Sequence, residues 1–146
     1  MPKAHHEADI DVAPEGVMAV ILDFEAYSKF LPEIVKCEVV GTDDQQWDVR
    51  FTVKVIKRLE YTLRLRQVSP TQVRWNMLDG PFKSNDGGWD LESIDGGDRT
   101  HASYFIDLQV GMFVPSSILR ALVERTLPET VHRFKQEAEA RKAATS

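Results

Sequence analysis

The chain alternates apolar and polar positions over most of its length, and helical spacing replaces that alternation in two places. In residues 4–12, Ala4, His6, Ala8, Ile10 and Val12 share one face, and His5, Glu7, Asp9 and Asp11 share the other. Period two with one polar face predicts a half-buried strand. Ala13-Pro14-Glu15 then opens a helix, with proline at a tolerated first position and an acid at the positive end. Val17, Met18, Val20, Ile21 and Phe24 give it an apolar face. Phe24, Tyr27, Phe30 and Leu31 predict a second short helix at about 25–30, stopped by Pro32.

The middle of the chain is strand after strand. Ile34–Val40 is one, followed by a turn at Thr42-Asp43-Asp44-Gln45. Trp47, Val49, Phe51, Val53 and Val55 alternate with polar residues. So do Leu59, Tyr61, Leu63 and Leu65, then Val73, Trp75 and Met77 after a turn at Ser69-Pro70-Thr71. Asp79-Gly80-Pro81 breaks the pattern. Trp89 and Leu91 belong to a further strand that ends before Asp95-Gly96-Gly97-Asp98. A last strand carries Thr100, Ala102, Tyr104, Ile106, Leu108 and Val110 on one face. Short strands joined by tight turns predict an antiparallel meander. Its apolar face needs a cover. The C-terminal segment supplies one, because Ile118, Leu119, Leu122, Val123, Leu127, Val131, Phe134 and Ala138 follow three- and four-residue steps from Pro115 to about Lys142. Pro128 inside it removes a backbone donor and predicts a kink. Residues 143–146 read as a frayed end. No repeat, low-complexity tract or linker interrupts the pattern, so residues 1–146 read as one domain. The expected fold is α+β: a curved antiparallel sheet of six to seven strands around a long C-terminal helix, with two short helices after the first strand.

The order of elements resembles the helix-grip superfamily, which includes START lipid-transfer domains, the birch-pollen allergen and bacterial polyketide cyclases. The nearest likeness is to its coenzyme Q-binding, polyketide cyclase/dehydrase-like branch, which also includes the bacterial ribosome association toxin. The residues that carry the likeness are Val12-Ala13-Pro14 through Val17, then Asp23-Phe24-Glu25-Ala26-Tyr27-Ser28-Lys29-Phe30-Leu31-Pro32, which looks like the branch's D-F-x-x-Y-x-x-F-x-P stretch. Gly80-Pro81-Phe82-Lys83 and Gly88-Trp89-Asp90-Leu91 look like its G-P-F-K segment and the tryptophan strand after it. The resemblance implies a cavity between sheet and helix. The residues it would place around a hydrophobic ligand are Phe51, Tyr61, Leu63, Trp75, Met77 and Phe82, then Trp89, Tyr104, Ile106, Leu119, Leu122 and Val123. From the pattern alone, the same aromatics also read as a solid core.

Composition narrows the chemistry. Hydrophobic residues at 42% and charged residues at 28% suit a folded globular chain. A net charge of −5 argues against direct nucleic-acid recognition, which normally needs a basic surplus. A single cysteine, Cys37, excludes an intrachain disulfide and reads as a packing residue. No apolar run reaches the roughly 20 residues of a membrane span, and the N-terminal stretch lacks the apolar core of a secretory signal, so a cytoplasmic location is expected. His5, His6, His101 and His132 have no partner at a metal-binding spacing, so neither a metal nor another cofactor is expected.

The expected inner faces carry almost no ionisable group apart from His6, which favours holding an apolar molecule over reacting with it. Tyr61, Tyr104 and Trp75 could orient such a ligand through phenol or indole donors. Gly80-Pro81-Phe82-Lys83 reads either as a rigid hairpin connection or as a pocket rim with Phe82 as a gate. Three functions follow. The first is binding or carriage of a prenylated quinone, lipid or polyketide-like molecule, with transient membrane contact. The second is a polyketide aromatase/cyclase with a tyrosine as proton donor. The third is a regulatory module docking on a ribosome or another protein through Arg50, Lys54, Arg64, Arg66 and Arg74.

Overall fold

The computed structural model describes residues 3–55, 57–110 and 114–145. Its centre is a seven-stranded antiparallel sheet in the order β1-β7-β6-β5-β4-β3-β2. The strands are β1 (Lys3–Ile10), β2 (Ile34–Asp43), β3 (Gln46–Val55), β4 (Lys57–Ser69), β5 (Gln72–Asp79), β6 (Phe82–Ile94) and β7 (Arg99–Val110). Strands β2 to β7 form a meander, and β1 closes on β7, pairing Lys3 with Asp107 through Ile10 with Thr100. Two helices follow β1: α1 (Pro14–Ile21), then a 3-10 turn (Phe24–Ala26) leading into α2 (Tyr27–Phe30).

Several boundaries differ from the sequence-based expectation. The first strand stops at Ile10 rather than Val12, yet Val12 stays buried and its carbonyl accepts a hydrogen bond from the buried Thr100 hydroxyl at 2.7 Å. Asp43 belongs to β2, so the turn narrows to Asp44-Gln45, with Gln45 at φ 53. Strand β6 starts at Phe82, and its polar, glycine-containing stretch Ser84–Gly88 is held extended by continuous pairing with β7. Tertiary hydrogen bonding there overrides a local composition that reads as loop.

The C-terminal cover is one continuous helical rod with a change of pitch. It comprises α3 (Ser116–Ala121), a π-helical turn (Leu122–Thr126) and α4 (Leu127–Thr145). The expected kink at Pro128 takes this form. Proline has no N–H to offer the Glu124 carbonyl four residues back, and its ring crowds that position. The chain widens by one residue instead, and the Leu127 N–H bonds to the Leu122 carbonyl. The helix also continues to Thr145, past the expected frayed end at 143, with the Thr145 hydroxyl bonded to the Arg141 and Lys142 carbonyls.

The core lies between this rod and the concave sheet face, where Phe134, Val131 and Ala138 of α4 meet β1, α1 and the aromatic strands. Cys37 is buried in this core, and burial pushes its thiol up to about 12. At that value it is a neutral packing group.

Candidate functional site

Beneath the first half of the helical rod the core is hollow. A cavity of about 110 Å³ separates the sheet from the rod. Its sheet wall comes from six strands: Ile34 of β2, Phe51 and Val53 of β3, Tyr61, Leu63 and Leu65 of β4, and Trp75 of β5. Strands β6 and β7 add Phe82, Asn85, Trp89, Tyr104 and Ile106. The helical wall is Leu122, Thr126, Leu127, Thr130 and Phe134, and Tyr27, Leu31 and Glu33 close one end.

Aromatic contacts stiffen the wall. Phe51 stacks on Tyr61 at 5.4 Å between ring centres, and Tyr61 meets Phe82 edge-on at 5.9 Å. Trp89 touches Tyr104 at 4.8 Å and Phe134 at 5.0 Å, and Phe134 meets Tyr27 at 5.2 Å. Such edge-to-face and offset pairs fix ring orientation as well as burying area.

Two glycines make room for this arrangement. A Cβ at Gly87 would lie 2.6 Å from the Trp75 ring, so only glycine lets the indole cross β6. The indole then donates from Nε1 to Asn85 Oδ1 at 3.2 Å. Gly80, at φ 153, has Tyr61 Cβ 2.6 Å from where its own Cβ would stand. That close turn brings the start of β6 against Tyr61 and seats Phe82 in the wall. Phe82 is only 6% exposed and begins β6, so it is part of the buried wall.

Of the sequence-derived positions, Phe51, Tyr61, Leu63, Trp75, Phe82, Trp89, Tyr104, Ile106 and Leu122 line the cavity. Met77, Leu119 and Val123 stand outside its wall, packed against the core while partly exposed. Met77 lies past Trp75↔Gly87, where β5 and β6 stop pairing. Val123 stands one helical step round from Leu122, which faces the cavity, while Thr126, Leu127 and Thr130 continue the wall.

Four polar groups give the cavity chemistry. Tyr61 and Tyr104 have their phenols held above the usual range, chiefly by burial, and among the described residues neither hydroxyl has a hydrogen-bond partner. Asn85 is 3% exposed. Glu33 is half-buried, and burial raises its carboxyl above the ordinary value of 4.5. Its Oε1 lies 3.3 Å from Thr130 Oγ1, and its carbonyl accepts a bond from the Lys54 N–H at 2.8 Å. The cavity therefore contains a carboxyl that the sequence pattern did not place on an inner face. His6, which the pattern does place inside, is not part of the wall, and its Nε2 is buried with no partner among the described residues.

Sequence reasoning missed Glu33 and Asn85 for identifiable reasons. Glu33 lies in the short connection between α2 and β2, where an acid reads as solvated. Asn85 is three residues from Phe82, so alternation assigns them opposite faces. A bulge between Phe82 and Ser84 restores them to the same face.

The outer sheet face is polar and largely ion-paired: Arg64 with Asp48 at 2.9 Å, Arg74 with Asp90 at 2.7 Å, and Arg50 with Glu38 at 3.6 Å. His101 lies between Asp9 and Glu7, with both ring nitrogens 2.6 Å from a carboxylate oxygen. Among the described residues no cluster of side chains suits a metal ion. No helix there is long and apolar enough to cross a membrane.

The concave sheet gripping a terminal helix across an apolar cavity defines a helix-grip, START-like protein. The chain belongs to the family described as polyketide cyclase / dehydrase and lipid transport, which it matches over residues 10–135. Solved structures agree on the fold. The Zhui aromatase/cyclase from Streptomyces sp. R1128 superposes with a TM-score of 0.85 at 20% identity, covering 96% of this chain and 94% of that one. A START superfamily protein from Mycobacterium smegmatis gives 0.81 at 18% identity, over 94% and 97%. A STAR-related lipid transfer protein from Xanthomonas axonopodis gives 0.74 at 15% identity, over 92% and 84%. No curated protein matches the chain by sequence.

Proposed function

We propose that the protein binds or carries a hydrophobic small molecule, of prenylated quinone, lipid or polyketide-like kind, in the cavity between sheet and helix. The observation that carries this reading is the cavity itself, an aromatic hollow with a few polar groups that have bonding capacity to spare. That combination is typical of small-molecule sites. Its volume of about 110 Å³ is below the roughly 300 Å³ at which drug-sized sites begin, so a larger ligand has to displace part of the wall. The helical wall around the π turn is the part best suited to move, because each cavity strand is hydrogen-bonded to at least one neighbouring strand of the sheet.

Organic extraction of protein purified from its native host, followed by mass spectrometry, tests the proposal. An apolar compound recovered in near-stoichiometric amount is the expected result, and a clean ligand-free spectrum counts against it.

A second reading, an aromatase/cyclase, is favoured by one feature: the Glu33 carboxyl in the same hollow as two phenols that have no partner among the described residues, in a fold shared with a Streptomyces aromatase/cyclase. Holding a flexible polyketone in a cyclising conformation would itself supply much of the rate. Turnover of an aromatic polyketide precursor should then collapse in Tyr61→Phe or Tyr104→Phe. Undiminished turnover in both variants removes the phenols from the mechanism. Docking on a ribosome has less support, since Arg50, Arg64 and Arg74 of the basic outer face are already engaged with carboxylates.

A further inference from the structure

Asn85 is held in the cavity wall in one orientation. A bulge between Phe82 and Ser84 turns its side chain inward. Gly87 lets the Trp75 indole cross β6 to reach it, because a Cβ there would lie 2.6 Å from the ring. The indole N–H then donates to Asn85 Oδ1 at 3.2 Å. An indole nitrogen donates and never accepts, so this bond fixes which end of the amide faces Trp75. The Nδ2 end, with two N–H donors, is turned elsewhere, and it has no partner among the described residues.

Satisfying the indole explains the amide oxygen and leaves the N–H donors unexplained. Asn85 is 3% exposed, so solvent does not serve them. A buried donor without an acceptor costs about 1–3 kcal/mol, and an apolar pair at positions 75 and 85 would carry no such cost. Tyr61 and Tyr104 line the same hollow with hydroxyls that also have no partner among the described residues. A carbonyl oxygen matches this set. It brings two lone pairs and no proton of its own, so it can accept from Nδ2 and from a phenol together. An anion matches it poorly. Among the described wall residues there is no lysine, arginine or histidine, and a desolvated charge without a partner is costly.

We propose that Asn85 sets the ligand class of this cavity: its amide, oriented by Trp75, donates a hydrogen bond to the uncharged carbonyl oxygen of an otherwise apolar ligand. The inference rests on the cavity being a ligand site. Trp75 is a positioning residue in this arrangement, and Asn85 makes the contact.

Three probes that differ at a single group test this by calorimetry on the full chain: 2-acetylnaphthalene, 2-ethylnaphthalene and 2-naphthoate. The acetyl compound should bind about tenfold tighter than its ethyl isostere, the size of one net hydrogen bond. 2-Naphthoate should bind more weakly than the acetyl compound. Asn85→Leu should bind the two uncharged naphthalenes alike. A second measurement needs no variant. The Asn85 side-chain amide protons, followed by NMR in the wild type, should move downfield with 2-acetylnaphthalene and stay in place with 2-ethylnaphthalene.

Equal binding of the two uncharged probes to the wild type removes Asn85 from recognition and leaves the cavity as a binding site. So does an acetyl preference that persists in folded Asn85→Leu, or an amide signal that does not move. Tightest binding of 2-naphthoate overturns the uncharged carbonyl as the recognised group. Failure of all three to bind overturns the cavity as a ligand site, and the role of Asn85 with it. Near-UV circular dichroism of Asn85→Leu separates loss of recognition from loss of fold, and the wild-type NMR result decides the matter if that variant does not fold.

Discussion

The two halves of the C-terminal rod are held in different ways. From Leu127 onward it is anchored by packing and charge. Phe134 makes ring contacts with Tyr27, Phe30 and Trp89. Lys135 and Lys142 donate to the Asp9 and Asp11 carbonyls at 2.7 and 2.9 Å, the Asp11 N–H bonds to Glu139, and Arg141 pairs with Asp23 at 3.0 Å. From Ser116 to Thr126, by contrast, Ile118 and Leu122 are the buried side chains, and among the described residues no ion pair ties this stretch to the sheet. The cavity spans the junction, walled by Leu122 and Thr126 of the lightly held half and by Leu127, Thr130 and Phe134 of the anchored one. The same rod is a structural clamp at one end and a movable wall at the other, and Pro128 with its π turn marks the junction.

Breaking the clamp should have the largest effect. Phe134→Ala removes a ring that is 3% exposed, and it should cost about 3–5 kcal/mol in urea unfolding. A smaller loss would mean that the cavity collapses onto the deletion. Leu122→Ala acts on the movable wall and should cost less, about 2–3 kcal/mol, because Leu122 already borders empty space. It should speed amide hydrogen exchange over residues 116–126 while leaving 131–142 protected. Uniform acceleration would show that the two halves open as one unit.

Pro128→Ala sharpens the comparison from the other side. Alanine restores the N–H that the Glu124 carbonyl lacks, so the π turn can close to α. Stability should rise by up to about 1 kcal/mol, with slower exchange over 116–126. Unchanged exchange would separate the π turn from the mobility of that segment.

The smallest effect belongs to the edge strand under the clamp. Hydrogen bonds donated to the Asp9 and Glu7 carboxylates hold the His101 pKa above its ordinary value of 6.5, and His101 holds both carboxyls below theirs. The histidine's contribution is full below 6.5 and is lost as pH rises through its elevated folded pKa. The carboxylates contribute above their ordinary values of 3.8 and 4.5 and lose that contribution in acid. The β1–β7 edge should therefore be firmest in mildly acidic solution. His101→Gln should flatten the pH dependence of hydrogen exchange in β1. These groups are exposed, so the change should register locally, with global stability little altered.

Much of the fold is legible in the sequence because it depends on period. Alternation at Trp47–Val55, Leu59–Leu65 and Thr100–Val110 assigns each strand its inner face, and Pro14 and Pro115 mark where helices begin. Strand β6 is less legible. Ser84–Gly88 has loop composition, and pairing with β7 along its length, joined by β5 at Gly87 and Gly88, keeps it extended. The site divides along the same line. The aromatic wall follows from alternation. The polar groups do not, because Asn85 is brought inward by a bulge and Glu33 by a connection anchored to the end of β3.

The sequence by itself therefore determined the elements, the apolar face of each strand and the helical cover, since side-chain direction within a regular element repeats with its period. Tertiary structure alone decided three things. It decided that the aromatics enclose a hollow rather than fill a core, because that depends on the distance between rod and sheet. It decided that Pro128 becomes a π turn rather than a bend, because the rod must stay seated at Phe134. And it decided that the hollow contains a half-buried carboxyl, because burial of Glu33 arises from elements distant in the chain that meet around it.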